Sequence, residues 1–209
     1  MQVKNAFSLP TNTCQLCFLE KSSEWKQAYW ICSRCDHSRK RYLQKLTIQK
    51  VKLTVLFHYD EFIEGLLYRF KGLGEKALSR TFLWGYRWWF TFSYWNALLV
   101  LAPRNVKQDE QRSFSPLRKI FSFHSNLIQP FEKTDDYKQS DQPYFMRKKI
   151  RDHVWFNRHL MERFSLKKRI IIVDDVVTSG ETMKMMISHL RTVGFSHIEA
   201  FAISRPTKA

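Results

Sequence analysis

Towards the C-terminal end of the chain the apolar positions change period twice. Arg169 to Val173 is a β-branched run, and after a short polar loop Met183, Met186, Ile187, Leu190 and Val193 fall at i, i+3, i+4, i+7 and i+10. That spacing is one face of an amphipathic helix. Gly194 stands where a left-handed residue would end the helix, and Ile198 to Ile203 supplies a second strand. A strand, a crossover helix and another strand place the two strands in parallel. The methionine stripe therefore reads as ordinary core.

Upstream the pattern is more broken. Leu53-Thr-Val-Leu-Phe-His-Tyr59 reads as a strand and Asp60 as a helix cap. Phe62, Ile63, Leu66, Leu67 and Phe70 form a helical face that Gly72 and Gly74 stop. Ala97-Leu-Leu-Val-Leu-Ala102 is apolar at every position, the mark of a strand buried on both faces, and Pro103 ends it. Phe82 to Ala102 carries only one charge, Arg87, and is as long as a membrane span. Its aromatics Trp84, Trp88, Trp89, Tyr94 and Trp95 sit mid-stretch, however, whereas membrane aromatics gather at the interfaces. The stretch reads instead as a buried helix end, an aromatic loop and the core strand. Arg104 to Pro116 reads as a polar loop, Leu117 to Phe131 has some helical spacing, and Glu132 to Pro143 reads as a second polar loop. Ile150 to Phe164 mixes aromatic and basic residues too evenly to assign. The basic run from Arg39 to Lys52 reads as a solvated helix face, and most of the tryptophans, Trp155 among them, read as core.

Composition narrows the class. The chain has 209 residues, 44% hydrophobic and 15% aromatic, enough apolar surface to offset ordering entropy and exclude disorder as the main state. Its formal charge of +16 and pI near 9.9 favour polyanions, whether nucleic acid, nucleotide phosphate or anionic lipid. Met1 to Pro10 lacks the charged start and apolar run of a secretory signal, so a cytoplasmic location is expected by default. All four cysteines lie before Asp36, and in a reducing compartment they read as thiolate ligands rather than disulfides. Cys14-x2-Cys17 and Cys32-x2-Cys35 have the spacing of two knuckles closing one tetrahedral zinc site. With all four positions taken by protein, that zinc is structural. The expected division is a four-cysteine module over residues 1–45 and an α/β domain over 46–209.

The chemistry concentrates at the end of the strand before the amphipathic helix. In an open parallel sheet ligands bind beyond the carboxyl ends of strands, and Asp174 and Asp175 sit there. Thr178, Ser179, Gly180, Glu181 and Thr182 follow. Hydroxyls, a glycine that lets backbone approach an anion, and a helix N-terminus with free N–H groups suit a phosphate monoester. Two adjacent carboxylates suit ribose hydroxyls and hydrated Mg²⁺.

The unbroken run from Ile170 to Thr182 closely resembles the phosphoribosyl-diphosphate-binding motif of type I phosphoribosyltransferases. That resemblance implies a parallel sheet flanked by helices, with the acidic pair on the ribose hydroxyls, the Thr178–Thr182 loop on the 5-phosphate and magnesium bridging ribose and diphosphate. Joined to the N-terminal zinc ribbon, the chain resembles the ComF family of bacterial competence proteins. Phe57-His-Tyr59-Asp60, Tyr68-Arg-Phe-Lys-Gly72 and Gly74-Glu75 are similar to that family's segment after the ribbon. Arg112-Ser113-Phe114-Ser115 occupies the place of its Arg-Gly-Phe-Asn, and Lys138-Gln-Ser140 with Arg147 resembles its next polar segment. Ser113, Ser115 and Leu101-Ala102-Pro103 depart from the family pattern in the loops that would hold diphosphate. Arg104 and Arg112 are therefore expected as anion contacts, and no catalytic residue is assigned.

The ComF resemblance implies a late-competence factor handling single-stranded DNA in natural transformation, with a phosphoribosyl diphosphate pocket and partners in the DNA-uptake machinery. Such a protein would be cytoplasmic or peripheral at the inner face of the membrane, with no membrane span. The alternative is an active magnesium-dependent phosphoribosyltransferase of nucleotide metabolism, for which no base-recognition loop stands out. A zinc-ribbon regulator sensing the same ligand would need a recognition helix, and none is visible.

Overall fold

A computed structural model describes residues 13–19, 31–39, 41–133 and 154–206. The family-like positions Lys138 to Ser140 and Arg147 lie outside the described residues, as does most of the polar loop expected after Glu132. Eight strands and eight α-helices are described. The strands are β1 (Arg41–Ile48), β2 (Val51–His58), β3 (Leu98–Leu101), β4 (Leu127–Ile128), β5 (Phe131–Lys133), β6 (Val154–Phe156), β7 (Ile170–Val176) and β8 (Ile198–Arg205). The helices are α1 (Ser33–Ser38), α2 (Glu61–Leu67), α3 (Ser79–Phe82), α4 (Arg87–Tyr94), α5 (Val106–Arg112), α6 (Pro116–Ile120), α7 (Arg158–Glu162) and α8 (Glu181–Val193).

Six strands form one sheet in the order β1-β2-β8-β7-β3-β4. Every neighbouring pair is parallel except the β1–β2 hairpin at one edge. The expected α/β class, a mostly parallel sheet flanked by helices, is thus the observed one. Along β3 and β7 successive residues face opposite layers, as the two-residue period requires. Leu99, Leu101, Ile171 and Val173 join one core, whereas Leu98, Val100, Ile170 and Ile172 join the other. The methionine stripe of α8 is buried in the second layer, through Met183, Met185, Met186, Ile187 and Leu190. Gly194 ends that helix at φ 112°. The first layer is aromatic: Phe90 lies 4.8 Å from Phe201 between ring centroids, and Phe121 closes on the same ring at 6.0 Å.

Asp60 caps α2 as expected, its carboxylate accepting a hydrogen bond from Ile63 N at 3.0 Å. The helix then widens into a π turn over Tyr68–Gly72. A Cβ at Gly72 would lie 3.2 Å from the Tyr68 ring, a tight contact that this exposed ring could relieve by a small shift.

Several expectations are corrected. The basic run after Arg39 forms a strand rather than a helix face. In β1, Tyr42, Gln44, Leu46 and Ile48 are partly buried and alternate with exposed Leu43, Lys45 and Thr47. Gln49 and Lys50 turn the hairpin with positive φ of 49° and 63°. The aromatic loop is helix α4, and the polar stretch after Arg104 contains helix α5, capped by Asn105. Helical structure after Leu117 stops at Ile120, and the unassigned segment supplies β6 and α7. Most of the described tryptophans are not core: Trp88 is 77% exposed, Trp95 71% and Trp155 51%. No helix among the described residues is long and apolar enough to cross a membrane.

Phe201 is fully buried at the centre of the aromatic layer. Phe201→Ala is expected to cost about 3–5 kcal/mol of stability, measured as a shift of the urea midpoint at unchanged slope.

Candidate functional site

The parallel sheet sets the position of the site. The chain leaves β3 towards β4 on one side and leaves β7 towards β8 on the other. Adjacent parallel strands whose connections diverge leave a crevice beyond their carboxyl ends. A cavity of about 390 Å³ fills this crevice, lined by residues that follow β3 (Pro103 to Arg112) and by Asp174 to Met183 at the end of β7. The sequence-predicted residues Asp174, Asp175, Thr178, Ser179, Gly180, Glu181, Thr182, Arg104 and Arg112 all lie on its wall.

The acidic pair ends β7. Each carboxylate folds back on the next backbone N–H: Asp174 Oδ1 accepts from Asp175 N, and Asp175 Oδ1 from Val176 N, both at 2.9 Å. Ser204 on β8 donates to the Asp175 carbonyl at 3.1 Å. Burial pushes Asp174 up to about 6, against the pull of Lys71 and Lys133. The loop then reaches Gly180, whose φ of 76° suits glycine. No side chain caps α8, so the first-turn N–H groups and the positive end of this 13-residue helix face the cavity as an anion site. Glu181, in contrast, is held by Lys184 at 2.7 Å.

The cavity is lined by cations as well. Lys71, on the π turn, pairs with Asp175. Burial lowers Lys71 to about 8 against the support of Asp174, and Arg112 and Lys133 add repulsion. Arg104 lines the cavity, but both its Nε and Nη2 donate to Glu132, at 3.1 and 2.6 Å. Among the described residues, Arg112 has a single long contact, to Gln108 at 3.4 Å. Asp109, on α5, is pushed up by burial although Ser115, Arg104 and Arg112 support its charge. Lys71, Lys133 and Asp109 escaped the sequence reading because their signal is tertiary: they come from three separate elements. Only Lys71 had a local sign, its place beside Gly72.

The departure at Ser113 also has a structural context. Ser113 ends α5 at φ 60° and ψ 24°, a left-handed conformation that costs a residue with a Cβ about 1 kcal/mol relative to glycine.

The second cluster is the set of four cysteines. Their sulfurs lie within 4.8 Å of one another, with Cys17 and Cys32 at 3.8 Å. A tetrahedral ion with bonds of about 2.3 Å sets its ligand sulfurs about 3.8 Å apart. Cys14 Sγ accepts from Leu16 N at 3.4 Å and from Cys32 N at 3.2 Å. Burial raises Cys14, but the N–H groups of Cys17, Cys32 and Leu16 outweigh it and bring the thiol to about 7. Burial and the neighbouring sulfurs push Cys35 far up, and burial raises Cys17. Four thiolates cannot share this space without a cation, so the donor set fits zinc. The cluster is joined to the rest of the protein through the first core layer, where Cys14, Leu16 and Cys35 pack with Phe57 and Phe70.

Residues 134–207 match the family model of the phosphoribosyl transferase domain. The matched segment, about a third of the chain, includes β7, the acidic pair, α8 and β8, and is similar to that domain. The curated proteins contain no match to this chain.

Two outcomes are expected. Asp174 holds its proton more tightly folded than unfolded, so its contribution to stability is present in acid and lost as pH rises from about 4 to about 6. Asp174→Asn should match the parent below that window and exceed it by about 1–3 kcal/mol above it, measured by urea denaturation across pH. Zinc analysis should find one ion per chain. Its removal by a chelator should lower the melting temperature and expose the Cys14–Phe18 amides to hydrogen exchange.

Proposed function

We propose that the protein binds phosphoribosyl diphosphate with magnesium in the β3–β7 cavity. The observation that carries this reading is the set of groups that line one cavity: an uncapped helix N-terminus with a hydroxyl-rich loop, the cations Lys71, Arg112 and Lys133, and an acidic pair. A 5-phosphate suits the Thr178–Thr182 loop, and ribose hydroxyls suit Asp174 and Asp175. The same two carboxylates, hard oxygen donors, would hold magnesium. Bound there, the ion would neutralise part of the diphosphate charge and polarise it as a leaving group.

The wider role that best fits these features is a DNA-uptake factor that handles single-stranded DNA in natural transformation, working with other proteins of the uptake machinery. The formal charge of +16 favours a nucleic-acid backbone. Trp88 and Phe92 stand exposed on one face of α4, their rings 6.1 Å apart, and Trp95 is exposed just beyond. Exposed aromatics beside cations are the usual platform for unpaired bases. A second reading, a magnesium-dependent phosphoribosyltransferase of nucleotide metabolism, is favoured by the cations of the cavity lining, which suit a departing diphosphate.

Calorimetric titration with phosphoribosyl diphosphate and magnesium tests the pocket. The parent should bind, and Asp174→Ala/Asp175→Ala should lose at least tenfold in affinity while still binding oligonucleotide. Normal binding by the double variant would overturn the site. Oligonucleotide affinity should fall steeply with salt and by about tenfold in Trp88→Ala/Trp95→Ala, since stacking contributes about 1–3 kcal/mol per base. Magnesium-dependent release of diphosphate in the presence of a base or amine would select the second reading.

A further inference from the structure

We infer that Lys71 is a direct ligand contact for the diphosphate end of the bound molecule, and that Arg69 positions it by tying its turn to the four-cysteine cluster. This rests on reading the cavity as a phosphoribosyl diphosphate site.

Three cations from three elements line the cavity: Lys71 from the π turn, Arg112 from the end of α5 and Lys133 from β5. Arg112 and Lys133 both act on Lys71 electrostatically, as repulsion. Like charges gathered at a half-buried cavity are costly unless an anion meets them. In this state the anion for Lys71 is the Asp175 carboxylate. A ligand that occupies the acidic pair with its ribose and metal takes Asp175 for itself and presents its own diphosphate oxygens in exchange. With the 5-phosphate on the Thr178–Thr182 loop and the ribose on the acidic pair, the diphosphate on C1 is the part of the ligand left for the cations of the lining, and Lys71 is the one already in contact with the acidic pair. Lys71 thus moves from an internal carboxylate to a ligand phosphate while staying compensated throughout.

The turn that carries Lys71 is anchored two residues earlier. Arg69 makes a forked pair with Glu75, Nε at 3.0 Å and Nη2 at 2.6 Å. Its Nη1 donates to the Leu16 carbonyl at 2.7 Å. Its guanidinium lies 4.8 Å from the centre of the Phe18 ring. Leu16 and Phe18 flank Cys17 in the first knuckle, whose backbone wraps the cysteine sulfurs. The knuckle therefore fixes Arg69, and Arg69 fixes the turn.

The test is calorimetric titration with magnesium and two ligands, phosphoribosyl diphosphate and ribose 5-phosphate, which lacks the diphosphate. Lys71→Ala and the length-preserving Lys71→Gln should weaken phosphoribosyl diphosphate at least tenfold and ribose 5-phosphate less than twofold. Arg69→Met should show the same selective loss at three- to tenfold, with zinc content still one per chain, and Arg69→Lys should restore part of it. Unchanged phosphoribosyl diphosphate affinity in both Lys71 variants overturns the inference alone. Equal loss for both ligands in both variants also overturns it, since that marks general damage to the cavity. A parent protein that binds ribose 5-phosphate but not phosphoribosyl diphosphate overturns both this inference and the reading on which it rests.

Discussion

The parallel pairing of β3 with β7 is the constraint on which the rest depends. Leu98 to Leu101 lies against Ile170 to Val173 in unbroken register, and each of these eight side chains is buried in one of two apolar layers. Neither strand can slip by one residue without exchanging its two faces. The register therefore fixes where both strands end, and so the distance between the loops that leave them. Because those loops diverge, the backbone itself cannot close the gap. A polar crevice at this point follows from topology before any particular side chain is considered.

What fills the crevice is charge of both signs, held at some cost. Asp174 and Asp109 are pushed towards neutrality by burial, and Lys71 likewise. Lys71 with Asp175 and Arg104 with Glu132 relieve part of the cost by pairing. Internal pairs of this kind are seldom net stabilising compared with apolar packing. A fold selected for stability alone would place leucines on this wall. The arrangement makes sense as a ligand site whose empty state is kept neutral by its own side chains, each ready to change partner.

The extent to which this was legible in the sequence follows the range of the forces involved. The β7-α8-β8 unit was readable because period, cap and stop are local: the methionine stripe, Gly180 and Gly194 act within a few residues of themselves. The acidic pair and the hydroxyl loop belong to that same unit, so this part of the cavity was visible as an unbroken run. The cations Lys71, Arg112 and Lys133 are brought to it by tertiary folding, and of these only Arg112 was expected as an anion contact. The β1–β2 hairpin was missed for a different reason. Its turn uses Gln49 and Lys50 at positive φ, where the usual signal is asparagine or glycine. Helix α5 was missed because it buries no residue, so it has no apolar face to betray its period.

The four-cysteine spacing was also a local signal, but the packing of the cluster was not. The knuckle's Leu16 and both terminal cysteines belong to the core that holds Phe57 and Phe70. Arg39 donates to the Thr81 carbonyl across the same junction. A metal that orders the knuckle therefore orders one face of the sheet's covering layer as well. The same reasoning bears on the departures at Ser113 and Ser115. The backbone at Ser113 adopts the left-handed turn that glycine would take freely, and Ser115 lines the cavity together with Asp109. Ser113 ends α5 and Ser115 precedes α6, so both departures fall in the short connection between these helices, and the side chain at Ser115 is one of the groups that line the cavity.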